Sequence, residues 1–148
     1  MSPRTYAIYI PKSARVNLRI GLTHGTWGWH GSAFVSSDSA AVVRSMKQKD
    51  LLLMARGGPN PRVPPHGWAG ARMAGIDVCE VVRESYRSTS PVWPDDVYPE
   101  RIGIRLIDSL SPRINLGPET LEALRMSANK RGVAVMVSST TPDWWRSR

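Results

Sequence analysis

SPVWPDDVYPERIGIRLI, residues 90–107, is the stretch from which the fold is read. Its second half is a strand by pattern: Ile102, Ile104 and Leu106 alternate with Gly103 and Arg105, a period of two with β-branched residues. Its first half cannot continue that strand, because Pro94 and Pro99 remove backbone donors and fix φ. Trp93 therefore sits in a stiffened loop, followed by Asp95 and Asp96, at the mouth of a buried strand. An aromatic held on a rigid loop beside polar groups is how a protein builds a wall of a binding pocket. The plainer alternative is that Trp93 plugs the end of the core.

The 148 residues are most simply one domain, spanning 1–148 and large enough to bury its own core. A single cysteine, Cys79, excludes an internal disulfide framework and any CxxC zinc site, and fits a reducing cytoplasm. The N-terminus has no apolar stretch long enough for a signal peptide or membrane span, so we expect a soluble, cytoplasmic protein with no membrane partner. The formal net charge of +8 is uneven. Residues 1–62 carry nine Lys/Arg against two Asp/Glu, residues 63–109 five against seven, and residues 110–148 six against three. A basic N-terminal region on a globular domain reads as a surface for polyanions, most often nucleic acid. The alternative is that the arginines merely solvate exposed faces.

Outward from the central stretch, residues 6–10 form a short apolar strand stopped by Pro11. Lys12, Arg15 and Arg19 follow at spacings of three and four, opposite a small apolar face of Val16 and Ile20, in a segment that ends at Gly21. Residues 22–31, LTHGTWGWHG, are too glycine-rich for a stable helix, which sets Trp27 and Trp29 in a loop or an irregular edge strand. We expect these two indoles on opposite sides of the segment, one packed into the core and the other facing a ligand. Asp38 is the predicted N-cap of a helix to about Lys47, burying Ala41, Val42 and Met46. Residues 51–55, LLLMA, read as a strand buried on both faces. Residues 57–70 are a long loop with four prolines and four glycines, contributing Arg62, His66 and Trp68. Residues 73–84 are the next strand, with Ile76, Val78 and Val82 on one face. Pro118 and Glu119 start a helix to about Lys130, lined by Leu121, Leu124 and Ala128 and stopped at Gly132. A last strand spans 133–137, and the basic tail, about 139–148, either packs back through Trp144 and Trp145 or is loose.

Helices interrupting mostly antiparallel strands predict an α+β domain with a curved or closed sheet. No glycine-rich strand-to-helix turn supports a Rossmann fold, and there is neither a GxxxxGK[ST] loop nor a GxSxG elbow. His24, His30 and His66 lack metal-site spacing, and no lysine follows Asp77 and Glu80 as a metal-dependent nuclease would require. Asp95, Asp96 and Glu100 are a solvated acidic loop sooner than a cation site. No cofactor or metal is expected, and nothing in the sequence requires catalysis. Two tryptophan loops on one basic domain suggest an aromatic pocket for a flipped or single-stranded base, with polar groups for its edge and cations for the flanking phosphates.

The ordered set YAIYI, NLRIGLTHGTWGW, DLLLMA, AGIDVCEVV and SPVWPDDVYPERIGIRLI, roughly residues 6–107, resembles the EVE and YTH domains of the PUA-like superfamily, and the WPDxxYPxR piece is especially EVE-like. The resemblance implies a PUA-like pseudobarrel of about five to six mostly antiparallel strands with two or three flanking helices. It also implies base-binding roles for Trp27, Trp93 and Asn17, and Gly28, Asp95 and Asp96 complete the expected base-binding set. Lys12, Arg15, Arg19, Arg56 and Arg62 would contact the nucleic-acid backbone. Pro94, Asp95 and Asp96 replace the more apolar third wall of a typical YTH cage, and the 57–70 loop is longer than usual.

The function so implied is a non-catalytic reader of a methylated base, with 5-methylcytosine in DNA favoured because an acceptor such as Asp95 suits the cytosine amino group. Bacterial relatives with EVE-like domains are often parts of modification-dependent restriction systems, a resemblance that implies a separate nuclease subunit as partner and favours DNA over RNA. The alternatives are an N6-methyladenine reader of DNA or RNA, a small nuclease using His24, His30 or His66, and a protein-interaction module using Trp144 and Trp145.

Overall fold

The computed structural model describes residues 3–31, 37–130, 132–138 and 141–146. The chain runs through β1 (Thr5–Tyr9), a 3-10 turn (Lys12–Ala14), α1 (Arg15–His24), β2 (Thr26–Trp29) and α2 (Ser37–Ser45). It continues through β3 (Leu51–Arg56), a single-turn α3 (Pro65–Trp68), β4 (Gly75–Arg87) and β5 (Glu100–Leu110). The last elements are α4 (Gly117–Asn129), β6 (Val135–Ser138) and a single-turn α5 (Asp143–Arg146). The strands make one open sheet in the order β2-β5-β4-β3-β1-β6, antiparallel except for the parallel pair β1–β3. The fold is α+β and pseudobarrel-like, with three helices longer than one turn among the described residues.

The central strands are apolar in both parities, and the sheet is accordingly covered on both faces. Tyr6, Ile8, Leu52 and Met54 point to one core, with α1, α2, Trp27, Trp29 and Trp93. Ala7, Leu51, Leu53 and Ala55 point to the other, with α3, α4, Trp68 and Trp144. A strand with both faces buried has no polar parity, which is why LLLMA reads as continuous. The tail packs back: Trp144 is buried and donates its Nε1 hydrogen to Thr120 Oγ1 at 2.9 Å. That places its indole in the core, and so not on a free interaction surface.

Several local expectations shift. β-bulges fall between Val78 and Cys79 and around Arg83 in the β4–β5 pair. Val82 and Leu106 keep the parity of buried Val78 and Ile104 but stand exposed, while Val81, Ile102 and Ile104 are buried. Met46, just past α2, is buried as expected, but with it are Ala40 and Val43 in place of Ala41 and Val42. The helix itself starts at Ser37, and the capping assigned to the Asp38 side chain lies outside the described residues. In α1 the buried residues are Asn17, Leu18 and Gly21, and Val16 is 58% exposed.

The first helix does not end at Gly21 but runs to His24, closed by Gly25 in the left-handed conformation at φ 73°. Gly21 serves packing instead. A Cβ there would lie 2.6 Å from the Thr26 carbonyl oxygen and 3.2 Å from the Trp27 ring, so its absence lets α1 seat on β2. Because the nearer obstacle is backbone, Gly21→Ala should cost about 1–3 kcal/mol through overpacking, despite Ala's higher helix propensity. A chemical denaturation curve checks this. A stability equal to or above wild type would remove the close-approach argument.

Candidate functional site

Strand pairing decides where the proline-rich loop goes. In the β2–β5 ladder Trp27 lies opposite Ile102, Gly28 opposite Arg101 and Trp29 opposite Glu100. The chain entering β5 thus arrives beside Trp29, and residues 90–99 fold back across β2. Trp93 lies on Gly28, where a Cβ would be 3.1 Å from the indole and 2.6 Å from the Tyr98 carbonyl oxygen. Only glycine fits between the strand and the ring. Trp93 Nε1 donates to the Asn17 carbonyl oxygen at 3.0 Å, which fastens the loop to α1.

The loop is clamped from below by Arg101, 3% exposed. Its Nε donates to the Tyr98 carbonyl at 3.1 Å, and its Nη2 donates to the Val97 carbonyl at 2.9 Å and to that of Ser90. The guanidinium also lies 5.3 Å from the centre of the Trp93 ring, within cation–π range. Tyr98, just before Pro99, sits at φ +48°, a left-handed backbone that a bulky residue adopts only when its surroundings impose it.

These pieces enclose a cavity of about 960 Å³ between α1, β2, the 90–99 loop and the end of α4. Trp27, Trp29, Trp93 and Tyr98 all line it, with Asn17 and Gly28. Trp27 and Trp93 meet edge to face, 6.1 Å apart at 84°, and Trp93 and Tyr98 do so at 5.5 Å and 88°. The two tryptophans are therefore a corner and not the parallel sandwich that two cage walls suggest. They are also core residues, 8% and 6% exposed, so wall and plug are one and the same role here. Trp29 shares the cavity with Trp27 because residues two apart in a strand share a face, which corrects the expectation that they point to opposite sides.

The polar side of the cavity is a short network. Asp95 Oδ1 accepts from Asn17 Nδ2 at 2.9 Å, and Oδ2 accepts from the Tyr98 hydroxyl at 2.6 Å. The Tyr98 bond, helped by that of Asn17, holds the Asp95 carboxyl below its usual range. Burial, reinforced by Asp95, pushes the Tyr98 hydroxyl up to about 12. Asp95 and Asp96 are exposed and do not line the cavity. Asp95 stands behind Asn17 and Tyr98, and Asp96 lies 3.4 Å from His30 Nδ1. Asp95 is accordingly joined to the cavity only through Asn17 and Tyr98, the two lining residues it holds.

Lys12, Arg15 and Arg19 are exposed on the segment whose Pro11, Ser13, Ala14 and Asn17 line the cavity, and Lys130 lines it from α4. Arg62 is exposed on the long loop, whose Pro59, Asn60 and Pro61 share a neighbouring hollow of about 220 Å³ with Lys12. Arg56 departs from the backbone-contact set, because its Nη1 pairs with the largely buried Asp77 at 3.0 Å. His24 and His66 stand on α1 and α3 and only His30 reaches the cavity, so the three histidines are not gathered. Among the described residues no group of three His, Cys, Asp or Glu could hold a metal. Trp68 lies in the opposite core against Tyr9. Tyr98 is a wall absent from the expected set, and its place next to Pro99 in the stiffened loop is the local signal for it. Nothing local marked Arg101, which reads as an ordinary strand residue.

No family model and no curated protein matches the chain. Solved structures do. Rpa0253 from Rhodopseudomonas palustris is 12% identical, with TM-score 0.52 over 97% of this chain and 89% of its own. A structural-genomics target from Pseudomonas syringae is 15% identical, with TM-score 0.53 over 97% and 95%. These two share the fold along nearly the whole chain. The YTH domain of Zygosaccharomyces rouxii MRB1, solved with N6-methyladenosine RNA, is 14% identical with TM-score 0.43, over 76% of this chain and 66% of its own.

Two measurements probe this site. Arg101→Met leaves three loop carbonyls without their donor and should cost about 2–3 kcal/mol. The melting midpoint should then fall by roughly 4–12 °C; an unchanged midpoint would show that the clamp is unnecessary. The difference in phenolate absorbance between wild type and Tyr98→Phe should titrate near 12 and not near 10. Since the folded state holds that proton more tightly, the stability it contributes is complete below pH 10 and lost as pH rises to about 12. A midpoint at the ordinary tyrosine value would contradict the Tyr98–Asp95 bond.

Proposed function

We propose that this chain is a non-catalytic reader of a methylated nucleobase, taken out of its strand into the cavity walled by Trp27, Trp93 and Tyr98. The observation that carries this is the aromatic lining itself: Trp27, Trp29, Trp93 and Tyr98 border one cavity, with Trp27 and Trp93 set at 84° as a corner. An apolar corner of that kind suits a flat ring bearing a methyl group, and Asn17 supplies a polar partner at the same cavity. The exposed Lys12, Arg15 and Arg19 beside the mouth suit the flanking phosphates. Neither the glycine-seated Trp93 nor the strand-borne Trp27 need reorganise to bind.

The finer reading, 5-methylcytosine in DNA, is supported by the EVE-like WPDxxYPxR stretch and by the basic N-terminal half. N6-methyladenine, in DNA or RNA, is its rival, and a panel of matched single strands and duplexes carrying each base separates the two.

Base–aromatic stacking contributes about 1–3 kcal/mol on truncation, so Trp27→Ala and Trp93→Ala should each weaken methylated-base binding roughly ten- to a hundredfold. The double variant should lose less than the product of the two, since both remove one corner. Weak binding to unmodified nucleic acid should survive, because it belongs to the cations. Both indoles also pack in the core, so circular dichroism and melting curves must accompany the binding. Folded variants that prefer methylated strands as strongly as wild type would end the proposal.

A further inference from the structure

Asn17 lines the cavity and is held by a charged neighbour. A carboxamide has an acceptor on one side and a donor on the other, and in isolation it can turn over to suit either kind of ligand. Here it cannot turn freely. Asp95 is a carboxylate and accepts only, so Asn17 must present Nδ2 to it, at 2.9 Å. Turning the amide over would set Oδ1 against Asp95 Oδ1, two acceptors at hydrogen-bond distance. Tyr98 is polarised the same way. Its hydroxyl hydrogen is given to Asp95 Oδ2 at 2.6 Å, so its oxygen meets any ligand as an acceptor.

We propose that Asp95, through Asn17 and Tyr98, makes the pocket selective for bases whose pairing edge carries an exocyclic amino group. The inference rests on the reader function above. A cytosine or adenine edge presents an amino N–H beside a ring nitrogen lone pair. Asn17 Oδ1 or the Tyr98 oxygen accepts from the first, and the second Asn17 amide hydrogen suits the lone pair. A thymine or hypoxanthine edge presents a carbonyl beside a ring N–H, the reverse order, and would require the turned-over amide that Asp95 forbids. Asp95 is thus a positioning residue: it touches no base and fixes which edge the pocket accepts. Its distance from the cavity follows directly from this role, as does its place one turn of loop before Tyr98.

The test uses the full chain and single-stranded oligonucleotides, which avoid differences in base pairing. Matched strands carry 5-methylcytosine or its keto counterpart thymine at one position, and a second pair carries N6-methyladenine or hypoxanthine. Wild type should prefer the amino member of at least one pair by roughly tenfold or more. In Asp95→Asn, whose own amide can donate to a turned-over Asn17, that ratio should fall to within about threefold, chiefly because the keto strand binds more tightly. Asp95→Ala should show the same collapse and covers the case in which the first variant folds poorly. A merely structural Asp95 would lower both affinities and leave the ratio intact, and that result overturns the inference. So does a wild type that binds methylated strands with no amino preference. Binding no stronger to methylated strands than to unmodified ones would instead sink the reader function, and this inference with it.

Discussion

The hydrogen bond from the Trp93 indole to the Asn17 carbonyl is the contact on which the site depends. It joins two segments 76 residues apart, the first helix and the proline-rich loop, and it is buried. Without it the indole would carry an unsatisfied donor into an apolar core, a cost comparable to losing the bond outright. With it, one ring sets the positions of three neighbours: it lies on Gly28, meets Trp27 and Tyr98 edge to face, and receives the Arg101 cation on its face. Asn17 is thereby held twice, by its backbone to Trp93 and by its side chain to Asp95. That double attachment is what places an amide at the edge of an aromatic corner.

The charges divide into those that build and those that remain outside. Arg101 is buried and donates to three loop carbonyls, and Arg56 is paired with Asp77. The formal excess of positive charge therefore overstates what a polyanion meets, but Lys12, Arg15 and Arg19 stay exposed beside the cavity. Asp95 adds a negative group close by, and it is occupied by two protein donors. An acidic residue near a nucleic-acid pocket is costly if it faces phosphate and useful if its lone pairs are already engaged in orienting others.

Strand periodicity made much of the architecture legible. The apolar run of residues 51–55, the β5 strand and the edge placement of the tryptophan segment all follow from local pattern, as do the span of α4 and its stop. The differences have one common form. Val82 and Leu106 keep the parity of buried Val78 and Ile104 yet stand exposed, and the first helix runs past a glycine whose meaning lies across the fold. Where a sheet face ceases to be covered is set by the elements packed on it, and the reason for Gly21 is the Thr26 carbonyl. Neither is visible to a window of local sequence.

The sequence by itself determined that Trp27 and Trp93 stand on stiff, glycine- or proline-bound segments beside a basic stretch, because backbone restriction and side-chain type are local properties. Only the tertiary structure decided that the two indoles meet at a right angle, that Tyr98 completes the wall, and that Asp95 serves Asn17 without reaching the cavity. Each of those depends on the β2–β5 register and on Arg101 folding the loop back on itself. Such contacts join residues far apart in the chain, and their geometry is fixed by packing around a buried ring and not by the order of residues along it.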